Sequence, residues 1–330
     1  MTNTTTGAEQ SGALLWAVLL DGDGGAQALS AEALSHWVPE AGALWMHVDI
    51  TSPEAPALID TLGIDPLAAE ALQAPETRPR CDQYGSGLSV ALRGVNTNPG
   101  ADPEDMVALR MWVDADRIVT ARRRRVLSSF DLKADLEAGD GPVDAGAFVA
   151  DVADRLIDRM QGVIDAAEER VGELEEEVLT AKSRTFSSDL AELRRETVAI
   201  RRHLAPEREA LGRLMAARVA WLDNGHRLQL RDVNDRLTRH IEDLDAVRER
   251  AAVLQQELSA RLQDDLNGRM YVLSVVTAIF LPLGFLTGLL GVNIGGMPGV
   301  ENRAAFLVFS GLLLAVLLLQ LLWLKRKGWF

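Results

Sequence analysis

The longest regular pattern in the chain runs from Leu230 to Gly291. Apolar or small residues recur at Leu230, Val233, Leu237, Ile241, Leu244, Val247, Ala251, Leu254 and Leu258, then at Leu262, Leu266, Met270, Leu273, Thr277, Leu281, Gly284, Gly288 and Gly291. The spacing averages about 3.6 residues, the α-helical period. No proline interrupts the stripe before Pro282, and the residues between are mostly charged up to Arg269. The pattern predicts one helix of about 60 residues, about 90 Å long. A lone helix cannot bury its own stripe, so several symmetric copies are expected around it.

The last part of that stripe lies in an uncharged run, Met270 to Leu290, and a second such run spans Ala304 to Leu324. Each has 21 residues, enough to cross a hydrocarbon core of about 30 Å as a helix. Both are predicted to span a membrane. Arg269 precedes the first run and Lys325, Arg326 and Lys327 follow the second, while Arg303 is the lone basic residue between them. Positive charge stays inside, which predicts cytoplasmic termini and an outer loop. The second span is nearly pure Leu, Val, Ala and Phe and reads as lipid-facing. The first carries Ser274, Thr277, Pro282, Gly284, Thr287 and Gly288. Such residues serve either close helix packing or a polar path through the membrane.

Upstream, helical periodicity from Val152 through Leu156, Met160, Val163, Ala167, Val171 and Leu174 to Val178 is followed by Thr185–Ser188, read as a turn. Asp189 is then a candidate cap for a second helix through Leu190, Leu193, Ile200, Leu204, Leu211, Leu214 and Trp221. The two predict an antiparallel hairpin, separated from the long helix by a turn at Asp223–Gly225. Nearer the N-terminus, β-like runs at Ala13–Leu20, Leu44–Ile50, Leu88–Val95, Met106–Val113 and Arg117–Ala121 alternate with helical segments at Ala31–Trp37, Ala55–Leu62, Pro66–Gln73 and Val126–Leu136. Tight turns are expected at Asp21–Gly25 and Val113–Arg117. The mixture predicts an α/β domain with its own core. The expected whole is an α+β membrane protein with three parts. These are an N-terminal cytoplasmic α/β domain (1–143), a cytoplasmic hairpin and stalk helix (144–269), and a transmembrane domain with two helices (270–330).

Charge sharpens this division. Residues 270–330 carry a net +3, from Arg303 and Lys325–Lys327 against Glu301, whereas the remainder carries −17 of the total −14. So acidic a remainder would repel nucleic acid. Cys81 is the only cysteine, which excludes an intrachain disulfide and a cysteine-rich zinc cage. The first twelve residues are polar, without the pattern of a signal peptide.

Catalytic chemistry is hard to find. His36, His47, His203, His226 and His240 are scattered, and the glycines at 21–25 miss dinucleotide-loop spacing. His47 and Asp49 share a strand face and read as a core pair before a metal pair. The Glu173–Glu177 cluster reads as a solvated helix face before a cation-collecting surface. Arg122–Arg125 reads as a solvated strand end, with an anion or lipid headgroup as the alternative. No enzyme is expected, and no cofactor. A membrane-tethered sensor or scaffold remains the alternative of another class.

With these residues in view, the chain resembles the CorA metal-ion transporter family. That family's Gly-Met-Asn triplet, which ends the first of two C-terminal membrane helices, is matched by Gly291-Val292-Asn293, with valine in place of methionine. It follows a span holding Met270, Leu273, Phe280 and Pro282. The sequence Ile294–Gly299 after the triplet, with Thr77–Asp82 and Leu92–Asn96, is similar to the zinc-associated ZntB branch. The resemblance implies a funnel-shaped homopentamer in the bacterial inner membrane, carrying divalent cations, most of all zinc. Magnesium, cobalt or nickel are the alternatives. Met270, Leu273, Thr277, Leu281, Gly284 and Gly288 would line the path, with Met270 and Leu273 as an apolar constriction. A ring of Asn293 amides would hold a hydrated ion weakly enough to release it. Zinc favours nitrogen and sulfur ligands, which this path lacks beyond Met270, so the zinc would pass hydrated. Glu301 is the outer loop's only acid, and Arg303 stands near it. Proton coupling is associated with the zinc branch, although the inferred path contains no ionisable side chain.

Overall fold

The computed structural model describes residues 12–178, 184–291 and 303–328. Two compact units form, Met1–Gln255 and Gln256–Phe330. In the first, strand β1 (Leu14–Leu20) turns into β2 (Ala26–Ala28) through Asp21, whose carboxylate accepts from the amides of Asp23 and Gly25 at 2.8 and 2.9 Å. Helix α1 (Ala31–Ser35) and a 3-10 turn at Pro39–Ala41 lead to β3 (Leu44–Asp49). Two short helices follow, α2 (Ala55–Thr61) and α3 (Pro66–Gln73), the latter started by Pro66 and by Asp65, which accepts from the Leu67 amide. Strands β4 (Arg80–Tyr84), β5 (Gly87–Gly94), β6 (Val107–Val113) and β7 (Arg117–Arg122) complete one seven-stranded sheet in the order β2-β1-β3-β7-β6-β5-β4. β3 and β7 are parallel; the other neighbours are antiparallel.

Both faces of this sheet are covered, which is why the strands read as continuous apolar runs. On one face Leu44, Met46, Val48, Val119 and Ala121 pack with Ile59 of α2 and Leu72 of α3. On the other, Trp45, Leu88, Leu92, Leu109 and Met111 meet α4 (Leu127–Ala138) and α5 (Ala145–Glu177). Trp45 and Phe148 of α5 stand edge to face at 4.8 Å, both fully buried.

The long helices are α5, α6 (Arg184–Ala216), α7 (Asn224–Leu290) and α8 (Ala305–Arg326). α7 bears out the stripe: one uninterrupted helix of 67 residues. Leu230, Val233, Leu237, Ile241 and Leu244 enter the same core as α5 and α6, and Val247, Ala251 and Leu254 are buried as well. At about 1.5–3 kcal/mol for each buried aliphatic side chain, this stripe outweighs the ion pairs beside it. Those pairs, Arg201–Asp245, Arg250–Glu175 and Arg236–Asp154, are all partly exposed. Each is worth about 1 kcal/mol or less, so they set register more than stability. Gly146 lets α5 pass beneath the start of α7: a Cβ there would sit 2.3 Å from His226 Nδ1.

Several expectations are corrected. Thr185–Ser188 is not a turn, because α6 already begins at Arg184, so Asp189 lies inside the helix and caps nothing. The helix also ends at Ala216, short of Trp221. Asn224 and Gly225 open α7, with Asp223 accepting from the His226 amide at 2.9 Å as its cap. The Arg122–Arg125 run does lie at the end of β7 with Arg123–Arg125 exposed, and each member also has a partner. Arg122 faces Asp49 at 3.6 Å, Arg123 donates to the Pro75 carbonyl, Arg124 pairs with Asp105, and Arg125 lies 4.3 Å over the Phe130 ring.

One buried carboxyl ties the stability of this unit to pH. Glu207 of α6 is 1% exposed and accepts from the Arg93 amide through both oxygens, at 3.1 and 3.0 Å. Burial pushes its carboxyl well above the usual range, against the pull of that amide and the Arg93 charge. A raised carboxyl favours the fold while protonated. Its contribution is complete below the ordinary glutamate range and is lost as pH rises through the raised value. Glu207→Gln is therefore expected to raise the thermal midpoint relative to wild type at pH 8, with the difference vanishing near pH 4 when midpoints are followed across pH.

Candidate functional site

The uncharged part of α7 lies in the second unit, together with α8. Its residues divide into two faces. Val275 is 8% exposed, and Ile279, Pro282, Leu283 and Leu286 are half-buried along the same side. α8 answers with Leu313, Val316, Leu317 and Gln320, half-buried, and Leu324, buried. At about 100° per residue, Thr277 and Leu281 lie across the helix from Val275 and Ile279. Every residue expected to line a path, Met270, Leu273, Thr277, Leu281, Gly284 and Gly288, is exposed. Met270, Leu273 and Leu281 keep about two-thirds of their surface, at 66, 67 and 66%. The stripe covered as far as Leu254 is uncovered from Leu262 onward, with Leu262 and Leu266 also exposed.

Backbone chemistry explains several sequence choices here. Thr277 donates to the Leu273 carbonyl at 2.8 Å, and Thr287 to the Leu283 and Gly284 carbonyls at 3.0 Å. Each hydroxyl thus satisfies itself on its own helix, as an apolar environment requires. Gly284 and Gly288 have open space where a Cβ would sit, so nothing within the chain demands their small size. Gly291 differs. Its amide donates to the Thr287 carbonyl at 2.9 Å, and a Cβ would come within 2.8 Å of that same oxygen. The helix end is tight because the first residue of the triplet has no side chain. Val292, Asn293 and Glu301 lie outside the described residues.

Sequence reasoning missed one polar link. Pro282 has no amide hydrogen, so the carbonyl four residues earlier, that of Ala278, loses its helical partner. Gln320 of α8 reaches that carbonyl through Nε2 at 3.5 Å. In hydrocarbon an unsatisfied carbonyl is costly, and neighbouring helices are the usual source of relief. The proline and the glutamine, 38 residues apart, were each legible; their pairing was not.

Elsewhere one histidine is part of the core. His47 is fully buried, stacked on Trp16 at 4.1 Å and hydrogen-bonded through Nδ1 to Thr120 at 2.7 Å. Burial, with Arg122 adding to it, holds His47 well below the usual imidazole range, and Asp49 turns to Arg122 and Thr51 instead. Cys81 is buried, and burial pushes its thiol up to about 12, too high to offer a thiolate at neutral pH. Among the described residues no three His, Cys, Asp or Glu side chains gather to hold a metal. Of the Glu173–Glu177 cluster, Glu175 is bound to Arg250.

A mixed-sheet domain, a helix of 67 residues that becomes an uncharged span, and a second apolar helix define a two-span membrane protein. Residues 40–326 match the family described as CorA-like Mg2+ transporter protein. The chain is 34% identical over 316 residues to the zinc transport protein ZntB of Yersinia pseudotuberculosis, covering 96% of this chain and 95% of the relative. It is 37% identical over 321 residues to the divalent cation transporter CmaX of Pseudomonas aeruginosa, covering 96% of each. The solved full-length CmaX structure superposes with a TM-score of 0.83 at 37% identity, covering 98% of this chain and 99% of that one. The chain belongs to the CorA family.

The Pro282–Gln320 pair is open to direct measurement. Gln320→Leu should destabilise the detergent-solubilised protein by about 1 kcal/mol, the scale of a hydrogen bond between membrane helices. In a Pro282→Ala background, where Ala278 regains its helical partner, the same change should cost a fraction of that in a thermal-unfolding double-mutant cycle.

Proposed function

We propose that the protein transports divalent metal cations across the bacterial inner membrane, zinc foremost, through a pore at the axis of a homopentamer. The carrying observation is the division of α7 into two faces. α8 covers one, and the other, bearing Met270, Leu273, Thr277, Leu281, Gly284 and Gly288, is left uncovered while built of small, hydroxylated and flexible apolar groups. A lone tether has no use for glycines that nothing in its own chain crowds. Five copies arranged about that face bury its flanks and enclose a path.

Both termini lie in the cytoplasm in this reading, and the loop between the spans faces out. Asn293 presents its amide oxygen there as one of a ring, and Gly291 supplies the tight helix end that sets where the ring sits. Met270 and Leu273, at the cytoplasmic end, form an apolar constriction able to close by expelling water. The named activities of the ZntB and CmaX relatives support divalent cation transport, and the ZntB name supports zinc. The path offers oxygen atoms and no thiolate or imidazole, which suits an ion that keeps its water shell. No Asp, Glu, Lys, Arg or His lies between Met270 and Gly291. Proton coupling would therefore use water or groups beyond this segment.

Zinc flux into liposomes holding the purified protein tests the reading. Wild type should carry zinc in preference to competing magnesium, and Asn293→Ala should lower that flux at least about tenfold, the loss expected when each subunit gives up one ligand of about 1.4 kcal/mol. An imposed pH gradient separates coupled transport from passive flow. A folded oligomer without flux under any gradient would point to a membrane-tethered sensor. Independently, Leu266→Cys in a Cys81→Ser background should oxidise to subunit-linked species on a denaturing gel, because the uncovered stripe faces its own copies.

A further inference from the structure

A second feature lies far from the spans. Between the segment linking α3 to β4, the adjoining parts of β5 and β6, and α6 there is an open cavity of about 1050 Å³. Six arginines and one histidine line it, against Glu76, Glu104 and Asp105. An excess of three positive charges stands out in a chain whose net charge is −14.

Three of the arginines are held in place by carbonyl groups and not by direct ion pairs, with Glu207 and Glu76 acting on Arg93 from farther off. Arg110 of β6 donates through Nη2 to the Ala74 carbonyl at 2.9 Å, and Arg93 of β5 donates through Nε and Nη2 to the Thr77 carbonyl at 3.2 and 2.8 Å. Arg123 donates to the Pro75 carbonyl at 2.8 Å. One short run of backbone, residues 74–77, thus anchors three guanidinium groups. On the opposite wall Arg202 donates through Nε to His203 Nε2 at 3.1 Å. Arg124 reaches Asp105 at 3.2 Å, but no described carboxylate lies within 4.0 Å of the charged nitrogens of Arg78, Arg93, Arg110, Arg123 or Arg202.

Arg110 makes the case specific. It is 3% exposed, it lines the cavity, and its Nε is buried with no hydrogen-bond partner. Burial, followed by the charges of Arg123, Arg93 and Arg80, lowers it to about 10. Burial and the charges of Arg93, Arg202 and Arg78 bring His203 down to about 4. Like charges assembled in a partly desolvated site are costly unless an anion joins them.

We infer that this cavity binds a small soluble anion carrying phosphate groups. Forked guanidinium groups match phosphate oxygens two at a time, and the volume exceeds what a single halide fills. The lining includes no Phe, Tyr or Trp, so recognition rests on the phosphates and not on stacking a base.

Calorimetric titration of the full-length protein in micelles, with divalent ions chelated, tests this with pyrophosphate and with adenosine triphosphate. Both should bind saturably with Kd below about 1 mM. Arg123→Gln and Arg202→Gln should each weaken binding about tenfold, a loss of one charge-assisted contact, at an unchanged ligand-free thermal midpoint. Arg110→Lys, which keeps the charge but loses the fork, should weaken it as well. Arg195→Gln, on an exposed part of α6 with its side chain 72% accessible, should have no effect. The proposal is overturned if neither anion binds, or if Arg195→Gln weakens binding as much as the cavity variants. Displacement of pyrophosphate by phosphatidylglycerol vesicles but not by excess adenosine triphosphate would assign the site to a lipid headgroup and overturn the soluble ligand.

Discussion

An α-helix cannot cover its own apolar stripe, and the rest of this structure follows from how α7 meets that constraint. From Leu230 to Leu254 the stripe is buried in the core shared with α5 and α6. From Leu262 onward it is bare. One periodicity thus runs from a covered half into an uncovered half without a break in the helix. The hydrophobic contribution dominates the first half, where the flanking ion pairs are too exposed to compete with it. In the second half the face is uncovered, and the proposed conduit rests on it.

Much of this was legible because it depends on strong, local signals. Five of the seven strands, four N-terminal helical segments and the full run of α7 follow from apolar alternation and the 3.6-residue period. The two strands missed are those with the least signal. β2 has three residues, and β4 at the sheet edge mixes Arg80, Asp82 and Gln83 with Cys81 and Tyr84. Thr185–Ser188 misled because hydroxyl residues favour caps and turns, yet Phe186 and Leu190 are buried at helical spacing and carry the helix through.

The side-chain groupings were less legible than the elements. The arginines around the α6 cavity sit at 78, 93, 110, 123, 124 and 202, on a loop, two strands, the end of a third and a helix. The run at 122–125 and the segments Thr77–Asp82 and Leu92–Asn96 were marked in the sequence, but nothing there joined their arginines into one site. The residues of the proposed path, by contrast, lie on one helix, where spacing alone assigns them to a face. Sites built along a single element can be read from a chain; sites assembled across elements need the fold.

The link between Gln320 and the Ala278 carbonyl also constrains motion. A helix rotating about its own axis by one residue turns through about 100°, which would carry that carbonyl out of the amide's reach and strand it in hydrocarbon. A slide of one turn, about 5.4 Å, would do the same. Either motion of the first span against the second would cost this hydrogen bond, on the order of 1 kcal/mol. Tilting of the two helices together, as a rigid pair, would leave the link intact.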